Sequence, residues 1–176
     1  GKSSKEETVR LGGWDQPIGD PGSAYELGRK GIVAVTEADD GYGRPTALTE
    51  KFLKVINVET VRDLARAIHM AKDRSSLIAS LAPLVLETAR ERDVVALFIV
   101  AREISKLAQT TASAIQKIGK DKKTVPLALA GSVFLENEWY KERFLSMLQD
   151  SGISFGPVTA VAEPALGALK RALALK

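Results

Sequence analysis

Trp14, Asp15 and Asp20 are set among glycines and prolines in the stretch Gly12-Gly13-Trp14-Asp15-Gln16-Pro17-Ile18-Gly19-Asp20-Pro21-Gly22-Ser23. Carboxylates accept hydrogen bonds from hydroxyls, and the face of an indole packs on an apolar ring face. Among glycines, these residue types suit a surface that holds a polyhydroxylated ligand. The same residues admit a plainer reading. Trp14 would be buried in a tight hairpin, and Asp20 would cap the next helix with Pro21 at its first position, where a missing donor costs nothing. A second candidate is Gly131-Ser132, which follows the apolar run Val125-Pro126-Leu127-Ala128-Leu129-Ala130. A glycine at the carboxyl end of a strand in an α/β protein lets a ligand approach the backbone. It also serves as an ordinary turn residue.

The elements that must position these residues are legible from spacing. Residues 6–11 alternate like a short strand. Ala24, Leu27, Ile32 and Val35 form one helical face from Ser23 to about Ala38, which Asp39-Asp40-Gly41 and Gly43-Arg44-Pro45 end. A short helix over 46–56 follows, then a turn at Asn57-Val58-Glu59 and a helix capped by Thr60 that carries Val61, Leu64, Ala65, Ile68 and His69. Asp73 is expected to cap the next helix, which Pro83 should kink or restart on its way to Arg90. Asp93 opens the longest helix, with Leu97, Ala101, Ile104, Ala108, Ala112, Ile115 and Ile118 at steps of three and four. The apolar run 125–130 reads as a strand buried on both faces. Another helix is expected over about 138–149, a last strand over 153–161 with Pro157 at an edge, and a final helix from Glu163-Pro164-Ala165. In that helix Gly167 leaves room for close packing, beside a stripe of Leu166, Leu169 and Leu173.

The chain has 176 residues, enough for a hydrophobic core without staples, with 45% hydrophobic and 27% charged residues. It has no cysteine, which removes disulfides and thiolate metal ligands and fits a reducing cytoplasm. One histidine, His69, cannot assemble a zinc site by itself and is read as structural or surface. The net charge is +3, but its 25 Lys/Arg and 22 Asp/Glu are interspersed. The cluster Lys117, Lys120, Lys122 and Lys123 reads as a solvated loop, so no nucleic-acid partner is expected. No apolar run reaches membrane length.

Taken together, these segments resemble the carboxy-terminal half of the N-acetylglucosamine kinases, within the BadF/BadG/BcrA/BcrD ATPase family of the actin-like sugar kinase superfamily. The resemblance rests on Gly12-Gly13-Trp14, on Gly19-Asp20-Pro21-Gly22-Ser23-Ala24-Tyr25 with Gly28, on Ala47-Leu48-Thr49 and on Ala89 to Asp93. It continues through Ala130-Gly131-Ser132-Val133-Phe134 to Pro164-Ala165-Leu166-Gly167-Ala168-Leu169. It implies an α/β fold: the C-terminal lobe of an actin-like (ribonuclease H-like) ATPase over residues 1–176, helix-rich with a small mixed sheet and a helical insertion at about 40–92. It also implies ATP-dependent phosphorylation of an amino sugar, N-acetylglucosamine or glucosamine, at the 6-hydroxyl. Carried over position by position, Gly13, Trp14, Asp15 and Asp20 fall on the sugar side. Gly131 and Ser132, with Ala89, fall on the nucleotide side. Asp15 stands where these kinases usually have glycine, and Pro21 where many have glutamate.

The family's phosphate loops and catalytic aspartate lie upstream of the matching segments, so no catalytic residue is expected here and the Mg²⁺ ligands are expected mainly in an N-terminal half. A start without methionine agrees with a fragment. The expected partner is that N-terminal lobe or a second copy of the chain, and these residues alone are expected not to phosphorylate sugar. Two other readings share the fold. One is an ATPase activator, which needs cysteine ligands for an iron–sulfur cluster. The other is a non-catalytic sensor of sugar or nucleotide.

Overall fold

The computed structural model describes residues 8–16, 18–118 and 124–173. The chain divides into two compact units, residues 12–107 and residues 1–11 with 108–176.

The first unit is helical. It comprises α1 (Ala24–Asp39), α2 (Leu48–Ile56), α3 (Val61–Met70), α4 (Arg74–Ala79), α5 (Ala82–Arg90) and most of α6 (Val94–Ile118). Each helix starts where a short polar side chain or proline can satisfy or tolerate the free N–H groups of the first turn. Thr60 Oγ1 accepts from Asp63 N at 3.1 Å, and Asp73 Oδ1 from Ser76 N at 2.9 Å. Pro83 lies in the first turn of α5 and marks a new helix, because the chain turns at Ser80-Leu81 after α4. Asn57 closes α2 in the left-handed region, with φ 59°. α1 packs on α4 and α5, α2 on α3 and α5. Leu27, Val35, Phe52, Leu64, Val85 and Ile104 are fully buried between these helices.

Asp93 ties this unit together. Its Oδ1 caps α6 by accepting from Ala96 N at 2.9 Å and also takes Thr46 Oγ1 at 3.1 Å, while Oδ2 accepts from Ala47 N at 3.0 Å. Burial raises the Asp93 pKa, but donation from Ala96, Ala47 and Thr46 outweighs it and the net shift is downward. Asp93→Ala loses a cap and leaves Thr46 and Ala47 without their acceptor, an expected cost of about 2 kcal/mol in urea unfolding. Because the folded pKa is lowered, Asp93 stabilises the fold above its ordinary 3.8 and loses that contribution as pH falls through the folded value. The difference between wild type and Asp93→Ala should therefore shrink only in strong acid.

In the second unit, β1 (Val125–Ala130) and β2 (Phe155–Val161) form a parallel pair, joined through α7 (Ser132–Glu136) and α8 (Glu138–Asp150) and followed by α9 (Pro164–Leu173). The small sheet has two strands among the described residues, both parallel, so the mixed pairing expected from the sequence is not seen there. Register slips between the Val125↔Phe155 and Leu127↔Val158 pairs, which places an extra residue at Gly156-Pro157. That bulge tolerates a proline that has no ladder donor. Phe134 meets Tyr140 and Phe144 edge-on, with ring centroids 5.5 and 5.1 Å apart, and these rings form the core beneath α7 and α8.

Three expectations change. β1 alternates half-buried and exposed residues apart from buried Leu129, so it is not covered on both faces. Of the strand expected over 6–11, residues 6 and 7 lie outside the described residues, Thr8 sits in an isolated bridge and residues 9–11 take no regular form. A Cβ at Gly167 would meet nothing within 4 Å, so no close packing uses it here. The lysines at 120, 122 and 123 also lie outside the described residues.

Candidate functional site

The loop ahead of α1 is shaped by backbone that L-residues rarely adopt. Gly12, Gly13 and Asp15 have φ of 68°, 63° and 69°. Asp15 holds this shape with its own groups. Its Oδ1 accepts from Gln16 N at 2.8 Å, and its carbonyl accepts from Ile18 N and Gly19 N at 3.0 and 3.1 Å. Aspartate tolerates the left-handed region because its short side chain can bond locally in this way. Asp15 is therefore a turn-forming residue as well as an exposed carboxylate.

Trp14 is 73% exposed, which removes the buried-indole hairpin as a description of this loop. An indole presented to solvent on a glycine-shaped turn leaves one ring face available for a ligand.

Asp20 is not the helix cap expected from the sequence. Ser23 N donates to Asp20 O at 3.1 Å with Gly22 at φ 80°. A proline at the second position excludes the primed turns, and a positive φ at the third selects type II. This turn delays α1 until Ala24, and Ser23 caps it, with Oγ accepting from Glu26 N at 3.2 Å. Asp20's carboxylate is thereby left half-buried, and no hydrogen-bond donor among the described residues reaches it. Burial first, then the charges of Asp15 and Glu26, push its pKa above the ordinary carboxylate value.

Beneath the loop lie charged groups that no motif in the sequence marks. Arg29 pairs with Glu26 through two 2.9 Å bonds, and this hydrogen bonding lowers the Glu26 pKa despite burial. Glu103 of α6, 1% exposed, accepts from Gly22 N at 3.3 Å and from Lys106 Nζ at 3.1 Å. A glutamate on the apolar face of α6, next to Val100 and Ile104, is the one signal the sequence carried for it.

In the other unit Gly131 ends β1 at φ 101°, and a Cβ built there would meet nothing within 4 Å. Gly131 and Ser132 are both exposed, so the backbone at the carboxyl end of the strand is open to a ligand. Ala89 is placed differently. It is 1% exposed within α5, where its methyl group is a packing contact rather than a surface for a nucleotide. Among the described residues no group of three or more His, Cys, Asp or Glu side chains could hold a metal ion, and no helix is long and apolar enough to cross a membrane.

Helix-rich, with a two-stranded parallel sheet among its described residues, the chain has the fold of a lobe of an actin-like ATPase. A Chromobacterium violaceum protein solved as a candidate N-acetylglucosamine kinase superposes on 88% of this chain with a TM-score of 0.64 and 22% identity, this chain covering 50% of that one. The chain belongs to the BadF/BadG/BcrA/BcrD ATPase family, which matches residues 2–172. An N-acetylmuramic acid/N-acetylglucosamine kinase of Clostridium acetobutylicum is 28% identical over 171 residues, 90% of this chain and 55% of that protein. An N-acetyl-D-glucosamine kinase of Dictyostelium discoideum is 32% identical over 124 residues, 69% of this chain and 39% of that protein. The chain thus spans about half the length, or less, of the curated relatives it matches.

Proposed function

We propose that this chain supplies part of the sugar site and part of the adenosine site of an ATP-dependent amino-sugar kinase, which phosphorylates N-acetylglucosamine or glucosamine at the 6-hydroxyl. The observation that carries the reading is Asp20, a half-buried carboxylate that no donor in the described structure reaches, held in a glycine-shaped loop with an exposed indole. Hydroxyls of a sugar are donors of the kind that such a carboxylate lacks. Trp14 would cover an apolar face of the ring or an acetyl methyl, and Gly13 would let the sugar approach the backbone. Asp15, whose side chain already serves the turn, would border the site.

Gly131 and Ser132 fit a nucleoside. The backbone is open, glycine is required by its φ, and there is no side chain for the adenosine to displace. ATP supplies the phosphoryl group when bound. The Mg²⁺ that accompanies it would be held by residues outside the described ones, and residues 1–176 would act as one lobe with a helical insertion at about 40–92, paired with a further lobe or a second copy. Phosphoryl transfer depends on charge stabilisation around the phosphates. The chain alone would therefore bind without turning over.

The test is calorimetric titration of the full-length protein with N-acetylglucosamine, glucosamine, N-acetylmuramic acid and glucose, with a non-hydrolysable ATP analogue present. Saturable binding of an amino sugar, together with sugar-dependent ADP release from ATP, supports the kinase. Nucleotide binding with no sugar binding overturns it. A second readout is the pH profile. Ionised Asp20 accepts from hydroxyls more strongly and at more positions than its protonated form, so affinity should fall on acidification through a pKa above the ordinary 3.8. Asp20→Asn should abolish that step.

A further inference from the structure

We infer that Glu103 is a positioning residue for the Asp20 loop, anchoring the turn that begins at Asp20 to α6 by its bond to the Gly22 amide. The inference rests on the sugar-site reading of Asp20, but its structural part stands without it.

Two turns are available to Asp20-Pro21-Gly22-Ser23. Types I and II share the first-to-fourth hydrogen bond, here Ser23 N to Asp20 O at 3.1 Å, and both accept proline at the second position. They differ by a flip of the central peptide, so the Gly22 N–H points to opposite sides of the turn in the two forms. Proline followed by glycine at the central positions already favours type II, and a bond made only in that form adds to the preference. Gly22 is buried, and a buried N–H without an acceptor costs free energy. With φ 80° at Gly22, its N–H donates to Glu103 Oε2 at 3.3 Å. Flipping the peptide to type I would withdraw that donor and leave a buried carboxylate short of one bond.

Glu103 is well placed to hold the turn. It is 1% exposed, it lies on a long helix, and its other oxygen is fixed by Lys106 Nζ at 3.1 Å. Arg29, paired with Glu26, adds a second positive charge whose field Glu103 also feels. The acceptor reaches across 81 residues of sequence to a loop in which Asp15 also bonds to Gln16, Ile18 and Gly19. Asp20 is the first residue of this turn, so the place of its backbone and carboxylate relative to α6 depends on how firmly the turn is anchored there.

The experiment compares wild type, Glu103→Ala, Glu103→Gln, Gly22→Ala and the double variant Glu103→Ala/Gly22→Ala in the full-length protein. Affinities for N-acetylglucosamine and for an ATP analogue are measured by calorimetry. Trp14 is followed by fluorescence and acrylamide quenching in a Trp139→Phe background, as the part of the signal that Trp14→Phe removes. Glu103→Ala is expected to weaken sugar binding at least tenfold while nucleotide affinity stays within about twofold. Glu103→Gln keeps an oxygen for the Gly22 amide and should retain most of the affinity although it loses the charge. Gly22→Ala disfavours the positive φ from the other side of the same bond. It should reproduce Glu103→Ala and combine with it less than additively.

Equal sugar affinity in Glu103→Ala and wild type overturns the inference, as does a parallel loss of sugar and nucleotide binding or a Glu103→Gln as weak as Glu103→Ala. If wild type binds no sugar, the kinase reading fails by itself. Trp14 quenching then decides the structural part: a change in Glu103→Ala and Gly22→Ala but not in Glu103→Gln supports it, and no change overturns it.

Discussion

Asp20→Ala is expected to lower sugar affinity about 100-fold or more in the full-length protein and to leave its thermal stability unchanged or raised. A carboxylate that takes two hydroxyls makes two charge-assisted hydrogen bonds. At about 1.5–3 kcal/mol each, their loss costs two orders of magnitude in affinity, or more. Stability moves the other way for a reason that is local to this loop. Asp20 is half-buried, has no donor among the described residues, and is repelled by Asp15 and Glu26, so its pKa is raised in the fold. A carboxyl group with a raised folded pKa stabilises the fold only where it is protonated; above that pKa its charge costs stability. Removing it at neutral pH relieves that cost. Loss of binding joined to an unchanged or higher unfolding midpoint is the pattern of a residue kept for a ligand. Loss of both together would return Asp20 to a structural role in its turn. Calorimetry with N-acetylglucosamine and differential scanning of the same preparations separate the two.

Much of this architecture is local in origin, which is why spacing reveals it. Thr60, Asp73 and Asp93 cap helices through bonds to residues three positions on, and Pro83 restarts a helix through the geometry of its own ring. The strand 125–130 is an apolar run with turn chemistry behind it, and its observed bounds are the expected ones. What spacing misses depends on partners far along the chain or on competition between neighbours. Asp20 and Ser23 both have the chemistry of a cap. Ser23 takes the role because Pro21-Gly22 forms a turn first, and no propensity ranks one above the other. Trp14 taken alone reads first as buried in a hairpin, and its exposure shows only with the positive-φ backbone at Gly12, Gly13 and Asp15 in place. Ala89 lies in a segment that resembles a kinase motif, yet the burial of α5 gives its methyl a packing role. Glu103 acquires its meaning from Gly22, 81 residues away.

Gly28→Ala is expected to be the most destabilising single-methyl change in the helical unit. A Cβ at Gly28 would lie 1.9 Å from the carbonyl oxygen of Ile78 and 2.9 Å from its carbonyl carbon. These are backbone atoms of α4, so no rotamer change relieves the clash, and α1 and α4 would have to separate along a contact that buries Leu27 and Ile78. Overpacking against side chains costs about 1–3 kcal/mol; against backbone the cost should reach about 3 kcal/mol or more, a large share of the 5–15 kcal/mol that holds a typical domain. Gly31, one turn further along α1, is the internal control. Its Cβ would meet Phe52 Cζ at 2.8 Å and Val85 Cγ2 at 2.9 Å, both side-chain atoms that can shift. Gly31→Ala should therefore cost about 1–2 kcal/mol, partly offset by alanine's better helix propensity. Urea unfolding followed by circular dichroism gives both numbers. The Asp20 loop leads directly into α1, so displacement of that helix in Gly28→Ala should also weaken sugar binding, whereas Gly31→Ala should bind as wild type does. Equal costs for the two substitutions would mean that α1 and α4 yield as readily as a side chain, and that the backbone contact at Gly28 does not fix the helix carrying the site.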